Sequence, residues 1–181
     1  PNSNPATATE SKIVLSTGAV STFAGGVGSP GGTDGTGAAA RFNGPAGLAT
    51  DSSGNLFVAD SGSQTIRQIV LSSAVVTTLA GTTGASGNTD GTGPTARFLN
   101  PFGIAADGAG NVYVADSFNH TIRKIVVSTK VVTTLAGSAG LSGTTDGNGN
   151  LARFYDPFAV GIDGNGNLFV ADTDNHSVRR D

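Results

Sequence analysis

The chain has 181 residues, a formal net charge of −3, 37% hydrophobic residues and 28 glycines, and it contains neither cysteine nor methionine. It is long enough to bury one core. Its sparse, slightly acidic charge without a basic stripe argues against nucleic acid as a partner, and no apolar run nears the roughly 18 residues that a membrane helix needs, so no membrane span is expected. The lack of cysteine excludes a disulfide framework and thiolate metal sites. A chain that opens on Pro1 with no methionine reads as a processed product or an excerpt of something longer.

In chain order, residues 1–8 (PNSNPATA) are polar and patternless and read as a disordered linker. A repeat then governs everything else. The stretch GNVYVADSFNHTIRKI at 110–125 recurs as GNLFVADSGSQTIRQI at 54–69 and as GNLFVADTDNHSVRR at 166–180. The spacing is 56 throughout, for Pro45, Pro101 and Pro157, for Asp60, Asp116 and Asp172, and for Arg67, Arg123 and Arg179. A fixed period in this range means one supersecondary unit copied.

Each unit reads as four short strands. In the second copy a strand opens at Pro101 and closes at the turn Asp107-Gly108-Ala109-Gly110, and a second runs from Asn111 to Asp116. After the turn Ser117-Phe118-Asn119, a third covers 121–127 and a fourth 131–136. Gly, Asn and Asp supply the turn dihedrals while β-branched residues fit the pleat, so the unit is an antiparallel meander, one blade of a propeller. Blades are expected at about 41–80, 97–136 and 153–181, the last incomplete, with residues 9–24 in the register of a third and fourth strand.

The motif Gly110 to Asp116 followed by Asn119-His120-Thr121-Ile122-Arg123-Lys124-Ile125 resembles the NHL repeat, the blade of NHL-type β-propellers. The element Thr-Asp-Gly-x-Gly-x-x-Ala-Arg-Phe at 33–42, 89–98 and 145–154 resembles in particular a bacterial subclass of it. The first copy departs from the pattern, with Gly62-Ser63-Gln64 where the others have Asn-His. The resemblance implies an all-β propeller scaffold that binds other molecules, without fixing an activity; an exported or extracytoplasmic bacterial location is favoured. Three blades do not close a ring. An open sheet edge invites pairing, so a homodimer that exchanges outer strands and closes six blades is expected, with an excised half of a longer chain as the plainer reading.

Chemistry is expected on the face that carries the second-to-third-strand turns and the long connections between blades, such as 81–100; the turns at Asp51, Asp107 and Asp163 belong to the other face. Residues 96–98 are expected to form one helical turn there, with Phe42, Phe98 and Phe154 plugging the grooves between blades. Arg41, Arg97 and Arg153 would form a ring able to hold a carboxylate or phosphate. Because Arg and Asp recur together, local pairing with Asp34, Asp90 and Asp146, or with Asp60, Asp116 and Asp172, is the favoured reading. His120 and His176 are read as structural, bonded to a nearby carbonyl or Asp, since zinc needs three or four converging ligands. The oxygen-rich runs at 146–150 and 163–167 lack the closing Glu of a calcium loop and are read as turns.

No nucleophile signature is present. The leading reading is thus a non-catalytic binding scaffold for a protein, peptide or glycan, with no cofactor and no metal. The alternatives are a propeller hydrolase or lyase with a metal in the central channel, or an amplified or engineered half-propeller of mainly architectural interest.

Overall fold

A computed structural model describes residues 9–180; the expected linker at 1–8 lies outside the described residues. Alternating β-branched and polar residues, punctuated by glycine turns, give fifteen strands and short 3-10 turns, with no α-helix among the described residues.

The chain enters through a hairpin, β1 (Thr9–Val14) and β2 (Ala19–Gly25). The first blade follows as β3 (Gly35–Thr36), β4 (Pro45–Thr50), β5 (Asn55–Asp60), β6 (Thr65–Val70) and β7 (Val75–Gly81). The second repeats it as β8 (Gly91–Thr92), β9 (Pro101–Ala106), β10 (Asn111–Asp116), β11 (Thr121–Val126) and β12 (Val131–Gly137). The third holds β13 (Pro157–Ile162), β14 (Leu168–Asp172) and β15 (Ser177–Arg180).

The sheet orders β3-β7-β6-β5-β4 and β8-β12-β11-β10-β9 confirm the meander and add a fifth strand. That extra strand comes from the long connection between blades. Gly91 and Thr92 pair with Val132 and Val131 of the outer strand that follows, and the adjoining 3-10 turn, Gly93–Thr95, packs on the outer strand that precedes. Its Pro94 carbonyl accepts a hydrogen bond from Thr82 Oγ1 at 2.8 Å. The connection therefore does not stand free on a face: its length is taken up in filling the seam between two outer strands.

The expected helical turn at 96–98 is displaced to Gly93–Thr95, and Ala96 is extended at φ −66°, ψ 155°. The shift follows from Arg97, whose amide must reach the Thr89 carbonyl at 2.9 Å, a contact that needs straight chain after the turn.

The core lies between blades rather than within them. Phe98, Ala96 and Val112 of the second unit pack on Ile66, Leu79 and Ala80 of the first, and Phe154 with Ala152 packs likewise on Ile122 of the second. Phe42 closes the same seam between the first blade and the hairpin, against Ala24. Phe42 and Phe98 are fully buried and Phe154 nearly so, as plugs of the grooves.

On the inner strands the backbones touch. A Cβ placed on Gly103 would stand 2.5 Å from Ala159 Cα, and one on Gly47 would strike the Phe102 carbonyl at 2.2 Å. Glycine there sets how closely one blade approaches the next.

Candidate functional site

The most heavily built polar feature is an ion network inside each blade. Asp116 ends β10 and Arg123 lies on β11 seven residues on, opposite Val114, so both side chains meet beside the sheet. Arg123 Nη1 donates to Asp116 Oδ2 at 2.8 Å and to the Arg97 carbonyl at 2.9 Å, while Nη2 donates to Asp90 Oδ1 at 2.7 Å. The guanidinium also lies 5.1 Å from the centre of the Phe98 ring, a cation–π contact in a desolvated place. The first blade repeats this with Arg67, Asp60, Asp34 and Phe42, and the third with Arg179, Asp172, Asp146 and Phe154.

Asp116 further accepts the Leu99 amide at 2.7 Å and the Asn119 side-chain amide at 2.8 Å. Burial pushes the carboxyls of Asp60 and Asp116 up, against the pull of Arg67 and Arg123. Burial also pushes on Asp34, but hydrogen bonds from Thr78 and Arg67 outweigh it and hold that carboxyl low.

This corrects the pairing expected for Arg41, Arg97 and Arg153. Asp34, Asp90 and Asp146 pair with Arg67, Arg123 and Arg179 instead. The three expected arginines curl back on their own connections: Arg41 Nη1 reaches the Ala38 and Ala40 carbonyls, Arg97 those of Pro94 and Ala96, and Arg153 those of Asn150 and Ala152. The residues that do the pairing carried a readable signal: Arg123 shares a strand face with Thr121 and Ile125, a charge on an otherwise buried side that demands a partner.

The turns at Asp51, Asp107 and Asp163 are closed by their own side chains. Asp163 Oδ1 accepts the amides of Asn165 and Asn167, and Oδ2 the Asn167 side chain, which together hold the carboxyl low. Asp51 and Asp107 do the same with Asn55 and Asn111. These turns occupy the end of the sheets opposite the turns that follow β5, β10 and β14.

That second end carries residues that do not repeat. Gln64, His120 and His176 share a left-handed backbone, φ 62°, 58° and 52°, after a 3-10 turn. Gln64 bonds across the seam to Asn100, through its amide nitrogen at 3.1 Å and its carbonyl at 2.7 Å. His120 stands in the same place one blade on, with Nδ1 3.0 Å from the Asp156 carboxylate and 3.2 Å from the Asp156 amide. Its ring meets Tyr155 edge-on at 5.6 Å. His176 is exposed. Nearby, Phe102 and Phe158 stack with centroids 4.4 Å apart and planes 24° from parallel. Among the described residues, no three His, Cys, Asp or Glu side chains come together as metal ligands.

Glu10 is the outlier of the buried polar groups. It holds the repeat position of Ile66 and Ile122, is 5% exposed, and leaves Oε1 without a hydrogen-bond partner. Burial, with Asp60 nearby, pushes its carboxyl up to about 7.

The NHL repeat family matches residues 42–69 and 98–125. NHL repeat-containing protein 2 of Bos taurus is 39% identical over 151 residues, covering 77% of this chain and 21% of that protein. The Arabidopsis thaliana protein SUPPRESSOR OF QUENCHING 1, chloroplastic, is 37% identical over 130 residues, 68% of this chain and 12% of the relative. The chain thus spans about a fifth or less of the curated relatives it matches. Among solved structures, a structural genomics protein of unknown function from Bacteroides thetaiotaomicron superposes at a TM-score of 0.79 with 23% identity, over 96% of this chain and 42% of that one. An auxiliary nutrient binding protein from the same organism gives 0.74 at 18%, over the same shares. Virginiamycin B lyase of Staphylococcus aureus gives 0.56 at 14%, over 94% of this chain and 47% of that one. At such identities these likenesses concern the fold alone. With the repeated motif, the antiparallel blades and the seams between them, they make this chain a member of the NHL-repeat β-propellers.

Proposed function

We propose that the chain is a non-catalytic binding scaffold whose recognition face is the end carrying the turns after β5, β10 and β14, and that its ligand is a protein, peptide or glycan. One contrast carries the reading. The charged groups that repeat in every blade are consumed in holding that blade, while this end carries ring side chains that the first copy lacks, Phe102, Phe118, His120, Tyr155 and Phe158. The likeness to a protein described as nutrient-binding supports a propeller that binds; the likeness to a lyase keeps a hydrolase or lyase as the rival.

Labelled protein applied to peptide and oligosaccharide arrays tests this. Selective binding that weakens on substitution at this end, with the ligand recovered unchanged, is the expected result. Binding that instead follows the turns at Asp107 and Asp163, or conversion of the ligand, overturns it.

The same scaffold pairs with a second copy through β2. A groove of about 530 Å³ beside β15 is lined by Ile122, Leu135, Phe154, Leu168 and Val170. The equivalent space in the second blade is filled by Ile125 and Val132, both buried. On β2 the counterpart of Val132 is Val20, which is 65% exposed. Thr22 stands at the position of Thr78 and Thr134, which bind Asp34 and Asp90, and the Asp146 side chain is 93% exposed.

β15 already holds the third-strand place, with Arg179 on Asp172, and β1 has Ser11 where that arginine stands. Only β2 therefore transfers, pairing with β15 in the register it now has with β1. In the double variant Ser21→Cys, Arg180→Cys, whose cysteines are the only two in the chain, oxidation should give a covalent dimer. A monomer by light scattering at all concentrations, or a dimer that does not crosslink, overturns the pairing.

A further inference from the structure

Near-identical blades allow a comparison that a single domain does not, because a residue that one copy lacks is not needed to fold the others. The first copy has Asn43, Gly44, Ala46, Gly62 and Gln64. The second has Leu99, Asn100, Phe102, Phe118 and His120 in those places, and the third Tyr155, Asp156, Phe158, Asp174 and His176. These positions meet at one end of the sheets. The amides of Gly62, Phe118 and Asp174 donate to the carbonyls of Asn43, Leu99 and Tyr155, and Gln64 and His120 reach the next blade at Asn100 and Asp156. Ala46 proves that the inner strand forms without an aromatic ring at its head, yet the next two copies place Phe102 and Phe158 there, stacked and facing each other across two inner strands.

Each of these residues stands where the ladder between inner strand and neighbour shifts register: between Pro45 and Gly47, opposite the segment from Val114 to Asp116, and between Pro157 and Ala159. Such irregularities turn a side chain away from the sheet and recur beside binding sites. The result is a shelf of rings at the open edge of the last blade, with Phe158 50% and Tyr155 43% exposed in the single chain; a second copy paired through β2 would bring Ala46 and Asn43, which carry no ring, to that edge. Exposed aromatic area at one place marks a contact surface.

We infer that this shelf, made by Phe102, Phe158, Tyr155, His120 and Asp156, binds a neutral saccharide; the inference rests on the scaffold reading above and names its ligand. The surface is a shelf: the Phe102 and Phe158 rings stack with planes 24° from parallel. A flat apolar face suits the C–H face of a pyranose better than an inserted side chain. The charged groups at the shelf that the blades do not share are Asp156 and Asp174, both acidic, and the Nη1 atoms of Arg97 and Arg153 are spent on backbone carbonyls, so the charge that varies favours a neutral ligand over an anion. Carboxylate oxygens accept from sugar hydroxyls, and His120 holds Asp156 in place for that task.

Native gel electrophoresis through soluble neutral polysaccharides tests the assignment, using mixed-linkage β-glucan, galactomannan, xyloglucan and dextran as probes. At least one of them should retard the protein. Phe158→Ala and Tyr155→Ala should each weaken that retardation about tenfold at an unchanged urea midpoint, and Phe158→Trp should keep it. The inference is overturned if none of the four retards the protein, if the alanine variants run as the parent does, or if dextran sulfate retards it more than dextran. A peptide from the array that binds at this end, with no saccharide binding, would sink this inference while leaving the scaffold reading intact.

Discussion

Arg123 and Asp116 meet at 2.8 Å with both side chains closed to solvent, seven residues apart on neighbouring strands. Each is a poor core residue alone, and together they fix the chain on three sides: Asp116 holds the start of its own blade through the Leu99 amide, and Arg123 holds the incoming connection through Asp90 and the Arg97 carbonyl.

Removing one partner strands the other. Arg123→Met should cost about 3–5 kcal/mol in urea unfolding, because the Asp116 carboxylate stays buried without its counter-ion. Adding Asp116→Asn should return part of that loss, since the amide oxygen still accepts from Leu99 while the buried charge is gone. A double variant no more stable than the single one would show that the charge is not what the arginine balances.

In the single chain, where β2 pairs with β1, Glu10 makes the hairpin sensitive to pH. Its carboxyl, ordinarily near 4.5, is raised to about 7 in the folded chain, so the folded state holds its proton more tightly than the unfolded one. The stability this provides is whole below about pH 4.5 and is lost as pH rises toward 7, on the order of 2–3 kcal/mol once partial solvent access is allowed for. Hydrogen exchange of β1 and β2 should therefore quicken between pH 5 and 7.5 beyond the intrinsic rate, and Glu10→Gln should remove that excess. Asp60 faces the same space and is itself raised by burial; an excess that survives whole in Glu10→Gln would assign the effect to Asp60 instead.

The inner strands should tolerate no added carbon where they touch. Gly103→Ala sets a Cβ 2.5 Å from Ala159 Cα and 2.7 Å from the Phe158 carbonyl, backbone atoms that cannot swing aside. A loss of about 1–3 kcal/mol is expected by thermal unfolding. Gly161→Ala, two residues past Ala159 with open space around it, is the matched control and should be near neutral.

Phe98→Ala should cost about 3–5 kcal/mol, the range for emptying a large buried aromatic site. It should do so by loosening the seam between the first two blades, measured as faster exchange of amides in both β7 and β12. Loss confined to one blade would mean that the ring serves its own sheet and not the joint.

Period and motif made the strands, the blade and its edges legible, because turn residues and alternation are local properties that one copy confirms for the next. The plugging role of Phe98 was legible for the same reason. The ion network was not: Arg97 and Arg123 are both invariant among the copies, and spacing alone does not say which of them faces inward. Strand parity holds the answer, since Arg123 falls on the side of Thr121 and Ile125, but it requires knowing that this side is sealed by the next blade. The 3-10 turn at Gly93–Thr95 was misplaced because Ala-Arg-Phe has good helical character, while the amide of Arg97 is claimed by Thr89 from across the connection. The rings at Phe102 and Phe158 passed for ordinary strand residues, as the register shift that turns them outward leaves no mark on composition.

The strand contributed by each connection also fixes where one unit ends and the next begins. Asp34, Phe42, Asp60 and Arg67 and the five strands of their sheet all lie within residues 33–88, a window of one 56-residue period. A window of equal length opening at Pro45 would part Arg67 from Asp34 and leave it with Asp60 alone. Duplication in the first frame copies Arg67 together with both of the carboxylates it binds; duplication in the second copies it with one. An array grown in the Thr33 frame can lengthen by any whole number of units without rewriting a single buried ion pair.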